Sequence, residues 1–333
     1  MVTARGTDIT HRMVATNGIN LHIAEAGEGP LVLLLHGFPE LWYSYRHQLP
    51  ALAAAGYHAV APDVRGYGES NKPYPVEAYA MKEHIADCLG LLDALGEDTA
   101  VIVGHDWGAP MAWNSAALHP DRYRAVVGMS VPYLPRGPVP PLQMMKAMFQ
   151  DNFFYILYFQ EEGVAEAEFE SDVAHSMRLF IWGASGEARS ITGFASVMAG
   201  KKADAKLFEG VPDLVFDGVP NVDGLPPWMN QADLDYFVER FKKGGFRGPI
   251  NRYRNMDRDW EQLPELQDKK IEQPALFLYG TADGVMSFAP MDPMKQLVPN
   301  LKIVPFEGAG HWTQQERPED TNRELISFLD SLQ

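Results

Sequence analysis

The sequence predicts an α/β fold, a mostly parallel β-sheet with helices on both faces, interrupted by a helical insertion. Continuous apolar strands alternate with helix-like segments up to residue 129, which is typical of a sheet that is buried on both faces. Prolines then end this alternation, and helical patterns without comparable strands follow until the alternation resumes at residue 274. We therefore expect a core formed by residues 1–132 and 268–333, with a cap formed by residues 133–267.

Each predicted element follows from a local pattern. Continuous apolar runs predict strands at residues 21–24, 31–35, 57–62, 100–103, 125–129, 274–279 and 302–306. Apolar residues at helical spacing predict helices at residues 42–55, 80–95, 109–118 and 322–332. The first two of these helices stop at Gly56 and Gly96, because glycine is the residue that most often follows a helix.

Composition limits the possible functions. The chain has 333 residues, 46% of them hydrophobic, which is enough for a sizeable core. A net charge of −16 argues against nucleic acid as a partner. The one cysteine, Cys88, excludes an intramolecular disulfide and suits a reducing compartment, so we expect a cytoplasmic protein. No signal peptide and no apolar run of membrane-spanning length is found, so no membrane partner is expected.

Residues 104–108, Gly-His-Asp-Trp-Gly, follow the strand at residues 100–103 directly. A nucleophile between small residues, on a sharp turn from strand to helix, is typical of a nucleophile elbow. Asp106 occupies the nucleophile position, and its carboxylate is already ionised at neutral pH. A carboxylate can displace a leaving group from saturated carbon, so Asp106 indicates an epoxide or an alkyl halide as substrate. The alternative is that Asp106 caps the following helix.

The loop after the strand at residues 31–35 reads His-Gly-Phe-Pro. In an α/β fold with a nucleophile elbow, this loop supplies a backbone N–H group to the oxyanion hole. Because Pro39 has no N–H group, we expect the N–H groups of Phe38 and Trp107 to form the pair of donors. His36 and His105 border glycine turns, and we expect them to hold loops by hydrogen bonds.

Two later loops complete a predicted triad. Asp283 follows the strand at residues 274–279, and His311 follows the strand at residues 302–306. The order nucleophile, acid, histidine is the order that this fold uses. Asp283 also fits a plain turn residue, but the other position for the acid, residues 130–132, contains no carboxylate.

From about residue 13 to the C-terminus the chain resembles the soluble epoxide hydrolases of the α/β-hydrolase superfamily. The resemblance is carried by the segments at residues 36–40, 65–70, 104–108, 155–161, 245–256 and 310–314. It implies that two cap tyrosines, at positions matching Tyr155 and Tyr253, hydrogen-bond and protonate the epoxide oxygen. Tyr158 lies one helical turn from Tyr155 and is an alternative for the first of them.

The resemblance implies hydrolysis of a small-molecule epoxide to a vicinal diol through an ester on Asp106, without a metal or organic cofactor. We expect the pocket to be lined by Phe38, Pro39, Trp107, Phe153, Ile156 and Trp312. The number of subunits is left open between a monomer and a homodimer.

The main alternative is a haloalkane dehalogenase, which uses the same nucleophile and for which Trp107 fits a halide-binding role. Phe38, however, stands where those enzymes usually have asparagine, and a dehalogenase does not explain the paired tyrosines. A fluoroacetate-type dehalogenase would need arginine in place of Trp107. A ligand receptor on the same fold would be favoured by a missing triad residue, and none is missing.

Overall fold

A computed structural model describes residues 7–190 and 225–332. Their strands form one sheet in the order β1-β2-β4-β3-β5-β6-β7-β8. The strands are β1 Thr10–Thr16, β2 Ile19–Ala26, β3 Leu31–Leu35, β4 His58–Pro62, β5 Ala100–His105, β6 Tyr123–Met129, β7 Ala275–Gly280 and β8 Leu301–Phe306. The pairs β1–β2 and β2–β4 are antiparallel, and all later pairs are parallel. The predicted mostly parallel sheet is confirmed.

Helices of the core lie between these strands and after the last one. They are α1 Gln48–Ala54, α2 Met81–Leu95 and α3 Gly108–Leu118. Further along the chain, the helices of the insertion are α4 Pro141–Phe149, α5 Tyr155–Tyr158, α6 Val164–Ser171, α7 Val173–Ala184, α8 Gln231–Gly244, α9 Arg247–Arg254 and α10 Met256–Gln262. The core resumes with α11 Asp292–Leu297, α12 Thr313–Glu316 and α13 Pro318–Asp330. Short 3-10 segments are Trp42–Tyr45, Val76–Tyr79, Gly186–Ser190, Pro264–Leu266 and Gly284–Ser287.

The strands β3, β5, β6 and β7 are buried almost completely. Their side chains alternate between two hydrophobic clusters, one on each face of the sheet. For example, Leu33 and Ile102 belong to one cluster, whereas Val32 and Val101 belong to the other. Continuous apolar strands are expected where both faces are covered.

One local prediction was wrong, and one strand was missed. The predicted helix at residues 42–55 is a 3-10 segment, Trp42–Tyr45, followed by the separate helix α1. Pro50 falls in the first turn of α1, where a missing N–H group costs no helical hydrogen bond. The sequence pattern also gave no sign of β1, because most of its side chains are exposed and its register comes from pairing with β2.

The helical insertion, α4 to α10, lies in the interval between β6 and β7. The predicted cap boundaries, residues 133 and 267, fall within this interval, and residues 191–224 of that cap lie outside the described residues. Across residues 7–190 and 225–332, no helix has both the length and the apolarity needed to span a bilayer.

Candidate active site

The turn after β5 carries Asp106 in a left-handed backbone conformation, with φ of 50°. A Cβ atom on Gly104 would collide with the backbone of Gly108, and one on Gly108 would collide with the carbonyl oxygen of Leu35. The strand and helix therefore approach each other so closely that only glycine fits at both positions. This strained turn presents the Asp106 carboxylate at the carboxyl end of the sheet, with 14% of its side chain exposed.

His311 lies between two carboxylates. Its Nδ1 atom is 3.0 Å from Asp283 Oδ2, and its Nε2 atom is 3.4 Å from Asp106 Oδ2. The structure thus brings together the three residues predicted as a triad, which follow β5, β7 and β8 in the chain. Parallel strands end at the same edge of a sheet, which explains why residues so distant in sequence meet.

The charges around His311 change its protonation. Burial lowers the pKa of His311, but the Asp283 charge and the hydrogen bonds with Asp106 and Asp283 outweigh burial and raise the pKa well above its ordinary value. The two carboxylates therefore favour the protonated form of the imidazole.

One predicted oxyanion donor contacts Asp106 directly. The Phe38 N–H group donates to Asp106 Oδ1 at 2.7 Å. Trp107, the residue of the second predicted donor, is the N-cap of α3. Within the described part of the chain, no hydrogen bond joins its N–H group to Asp106. The two oxygens of Asp106 therefore differ, because Oδ1 accepts from an amide and Oδ2 faces His311.

The two predicted tyrosines come from the helical insertion, Tyr155 from α5 and Tyr253 from α9. Their rings meet edge to face, with centroids 5.9 Å apart. Burial raises the pKa of both phenols, and the Asp106 charge raises both further. Both hydroxyls therefore stay protonated across the neutral range, near the Asp106 carboxylate.

Tyr158, the alternative to Tyr155, points elsewhere. Its hydroxyl donates to Glu168 Oε2 at 2.6 Å. Tyr155, and not Tyr158, is thus the α5 tyrosine whose pKa responds to Asp106.

Phe38 lies at the centre of an aromatic cluster that closes over the site. Its ring contacts five rings of the insertion with centroids 5.4 to 6.4 Å away, namely Phe159, Phe169, Phe180, Phe246 and Tyr253. Trp107 adds an edge contact with Tyr253 at 5.2 Å. Four of these phenylalanines were not predicted from the sequence, because contacts between distant aromatic residues leave no local pattern.

The other predicted pocket residues are buried. Phe153 and Ile156 lie around α5, and Pro39 follows Phe38. Trp312 lies beside the triad, its ring centroid 5.0 Å from that of His311, and its indole N–H group donates to the Ile181 carbonyl at 2.7 Å. Their part in binding a substrate stays a prediction.

Two histidines, His105 and His36, support the loops of the site by hydrogen bonds. His105 Nδ1 is 2.6 Å from Glu40 Oε2, and His105 Nε2 is 2.7 Å from the carbonyl oxygen of His311. His36 binds the next loop, since its Nε2 atom accepts from the Val64 N–H group at 3.0 Å. The prediction that His36 and His105 hold loops is confirmed, whereas the part played by Glu40 was missed.

Comparison with known proteins agrees with this geometry. A family model described as the alpha/beta hydrolase fold matches residues 30–318. The chain is 46% identical over 327 residues to epoxide hydrolase A of Mycobacterium tuberculosis, a match that covers 97% of this chain and 98% of the relative. The chain belongs to the epoxide hydrolase family of the α/β hydrolase fold.

Other epoxide hydrolases are similar over most of this chain. The bifunctional epoxide hydrolase 2 of Sus scrofa is 39% identical over 315 residues, which is 94% of this chain and 54% of the relative. The crystal structure of epoxide hydrolase A from Mycobacterium thermoresistibile superposes with a TM-score of 0.87 at 44% identity, covering 97% of this chain and 98% of that one.

Proposed function

We propose that this protein hydrolyses epoxides to vicinal diols in two chemical steps. The observation that carries the proposal is one carboxylate, Asp106, that lies 3.4 Å from a histidine of the core and whose charge raises the pKa of two tyrosines of the insertion. Residues 133–267 act as the cap in this proposal, because they supply both tyrosines.

In the first step, Asp106 Oδ2 attacks a ring carbon of the epoxide. The Phe38 amide holds Oδ1, which leaves Oδ2 as the oxygen that forms the new bond. The carbon–oxygen bond of the ring breaks, and the oxygen takes a proton from the phenol of Tyr155 or Tyr253. An opening epoxide develops an alkoxide, so it needs a proton donor of this kind. The product is a hydroxyalkyl ester on Asp106 with one phenol deprotonated.

Formation of the ester activates His311. The Asp106 charge, which raises the pKa of His311, disappears when the carboxylate becomes an ester. The pKa of the imidazole therefore falls, the ring gives its proton to the phenolate that the first step left, and the neutral ring becomes a base for water. Asp283 remains bound to Nδ1 and keeps Nε2 turned towards the ester.

In the second step, water attacks the carbonyl carbon of the ester and gives a proton to His311. Negative charge develops on Oδ1, where the Phe38 N–H group already donates and where we also place the Trp107 N–H group. One such donor is worth about 3 kcal/mol. Collapse of the intermediate breaks the ester bond, and the remaining proton of the attacking water passes to the departing alkoxide, which completes the diol. The Asp106 carboxylate and the protonated His311 of the resting site are then restored. The step needs no cofactor.

The test is diol formation from styrene oxide by the purified protein, with Asp106→Ala as the inactive variant. Asp121→Ala, which removes an exposed carboxylate, is the matched control and is expected to keep full activity. Diol from the wild type and the control alone supports the proposal. The proposal fails if neither styrene oxide nor a longer aliphatic epoxide yields a diol, and halide release from a chloroalkane would then favour the dehalogenase.

A further inference from the structure

The loop that carries His311 is bound to the end of a helix from the insertion. The His311 N–H group donates to the Ala184 carbonyl at 2.8 Å, and the Trp312 indole N–H group donates to the Ile181 carbonyl at 2.7 Å. Both acceptors lie in the last turn of α7, where helix carbonyls lack partners within the helix. The histidine loop thus caps α7.

The carboxylate of Glu316 joins the same two segments. Its Oε2 atom accepts from the Gly310 N–H group at 2.7 Å and from the Gly186 N–H group at 3.1 Å, and its Oε1 atom accepts from the Trp312 N–H group at 3.1 Å. Gly310 and Trp312 are the two neighbours of His311 in the chain. One side chain therefore holds the backbone on both sides of His311 and ties it to the insertion.

The histidine loop and the segment that follows α7 are in close backbone contact. A Cβ atom on Gly186 would collide with the Gly308 carbonyl oxygen, and one on Gly310 would collide with the backbone of Ser185 and Gly186. The Glu316 carboxylate thus reaches its donors directly, and a change in its length or charge has to move the backbone.

The surroundings of Glu316 suit an acceptor and not a donor. Burial raises the pKa of Glu316, the three backbone hydrogen bonds lower it and the Glu187 charge raises it, which together give a pKa of about 7. Glutamine in this place would keep the shape of the side chain and one acceptor oxygen, but it would turn an NH₂ group towards at least one of the backbone N–H donors. Glu316→Gln is therefore the substitution that replaces one of the two acceptor oxygens with the least change in volume.

We propose that Glu316 is a positioning residue for the second chemical step, because it fixes the loop that aims His311 Nε2 at Asp106. The inference rests on the proposed function, in which His311 is the base for ester hydrolysis and takes no part in ester formation. Replacement of one Glu316 acceptor oxygen must then slow hydrolysis of the ester and leave its formation unchanged. A residue that only stabilised the fold would lower the active fraction without changing either rate constant.

The experiment measures both rate constants separately with styrene oxide. Rapid mixing followed by acid quench and mass spectrometry reports the fraction of Asp106 that carries the ester over time. For Glu316→Gln we expect ester hydrolysis to slow about tenfold, ester formation to change by less than about twofold, and the ester to accumulate. Glu170→Gln is the matched control, since Glu170 also accepts a backbone N–H group, that of Phe246 at 2.9 Å, but lies in the insertion on α6.

The inference is wrong if Glu316→Gln leaves both rate constants unchanged or lowers them in the same proportion. If that variant does not fold, Glu316→Asp serves instead, because it keeps the charge and shortens the reach by one methylene group. It too must slow hydrolysis alone. If the wild type forms ester and diol, and both variants have the same ratio of ester formation to ester hydrolysis as the wild type, only the role of Glu316 is overturned. A wild type that forms neither overturns the proposed function as well.

Discussion

His105 Nε2 lies 2.7 Å from the backbone carbonyl oxygen of His311. The other ring nitrogen of His105 faces the Glu40 carboxylate at 2.6 Å, and both side chains are buried. Both ring nitrogens of His105 therefore face acceptors, one of which is a buried carboxylate. The residue that precedes the proposed nucleophile in the chain thus also supports the loop of the proposed base.

Glu40→Gln is expected to lower the free energy of unfolding by about 3 kcal/mol at pH 7, because the buried Glu40 carboxylate faces the His105 ring and accepts from Gly37 and Gln314, and glutamine keeps only one of its two acceptor oxygens. Urea denaturation measures the change. Glu28→Gln, at an exposed position, serves as the control. A loss no larger than that of the control would contradict the buried pair.

The same pair predicts a dependence of stability on pH. Burial alone would raise the pKa of Glu40, but the charge and hydrogen bond of His105 lower it to about 2. Glutamate in an unfolded chain has a pKa of about 4.3. Because the pKa of Glu40 is lower in the folded protein, its carboxylate stabilises the fold at pH values above 4.3, and this contribution is lost as the pH falls towards 2. Acid unfolding of the wild type should therefore steepen below pH 4.3 relative to Glu40→Gln. Parallel acid-unfolding curves would count against this.

His311→Gln is expected to trap the ester. Asp106 keeps its nucleophilic oxygen, so the ester forms, but no base activates water and turnover falls by about 10³-fold. Mass spectrometry of the protein after treatment with styrene oxide should show the adduct on Asp106. His119→Gln, at the C-terminal end of α3, should turn over normally without an adduct. Steady turnover by His311→Gln would rule out the two-step mechanism.

Single substitutions Tyr155→Phe and Tyr253→Phe should each slow ester formation about tenfold, and the double variant by at least about 10²-fold, because one phenol can partly replace the other. Tyr158→Phe is the control, since the Tyr158 hydroxyl is bound to Glu168. Equal rates for the double variant and the wild type would mean that neither tyrosine is the proton donor.

The raised pKa of Tyr155 and Tyr253 also predicts how the reaction depends on pH. Ester formation in the wild type should not decline between pH 7 and pH 9, because both phenols stay protonated over this range.

Asp106→Asn should lower the pKa of His311, because it removes one of the two carboxylates that raise it. NMR titration of the histidine ring measures the midpoint. On increasing pH the ring of the variant should lose its proton before that of the wild type. Mass spectrometry has to confirm that the asparagine has not deamidated. An unchanged midpoint would mean that the Asp106 charge does not act on His311.

The triad was predictable because each of its members follows a buried parallel strand directly. Asp106, Asp283 and His311 follow β5, β7 and β8, and the topology of the sheet brings these strand ends together. The paired tyrosines were implied by a family resemblance, since nothing local distinguishes Tyr155 from other tyrosines of the chain.

The partners of the supporting residues were not predictable in this way. The sequence predicted that His105 holds a loop, but Glu316 accepts from backbone N–H groups and His105 contacts a backbone carbonyl, so neither interaction requires a particular residue type at the other end. The aromatic rings around Phe38 come from α6, α7 and α9 and from the segments beside them. Contacts between rings so distant in sequence depend on how the insertion packs against the core, and no short sequence pattern predicts them.

The side chain and the backbone of Phe38 have separate roles, and substitution changes only the first. Its ring contacts the insertion, whereas its N–H group donates to Asp106. Every amino acid except proline has this N–H group, so a mutation at codon 38 can reshape the proposed pocket while the donor persists. Evolution can therefore change the choice of substrate through this position without loss of the proposed reaction.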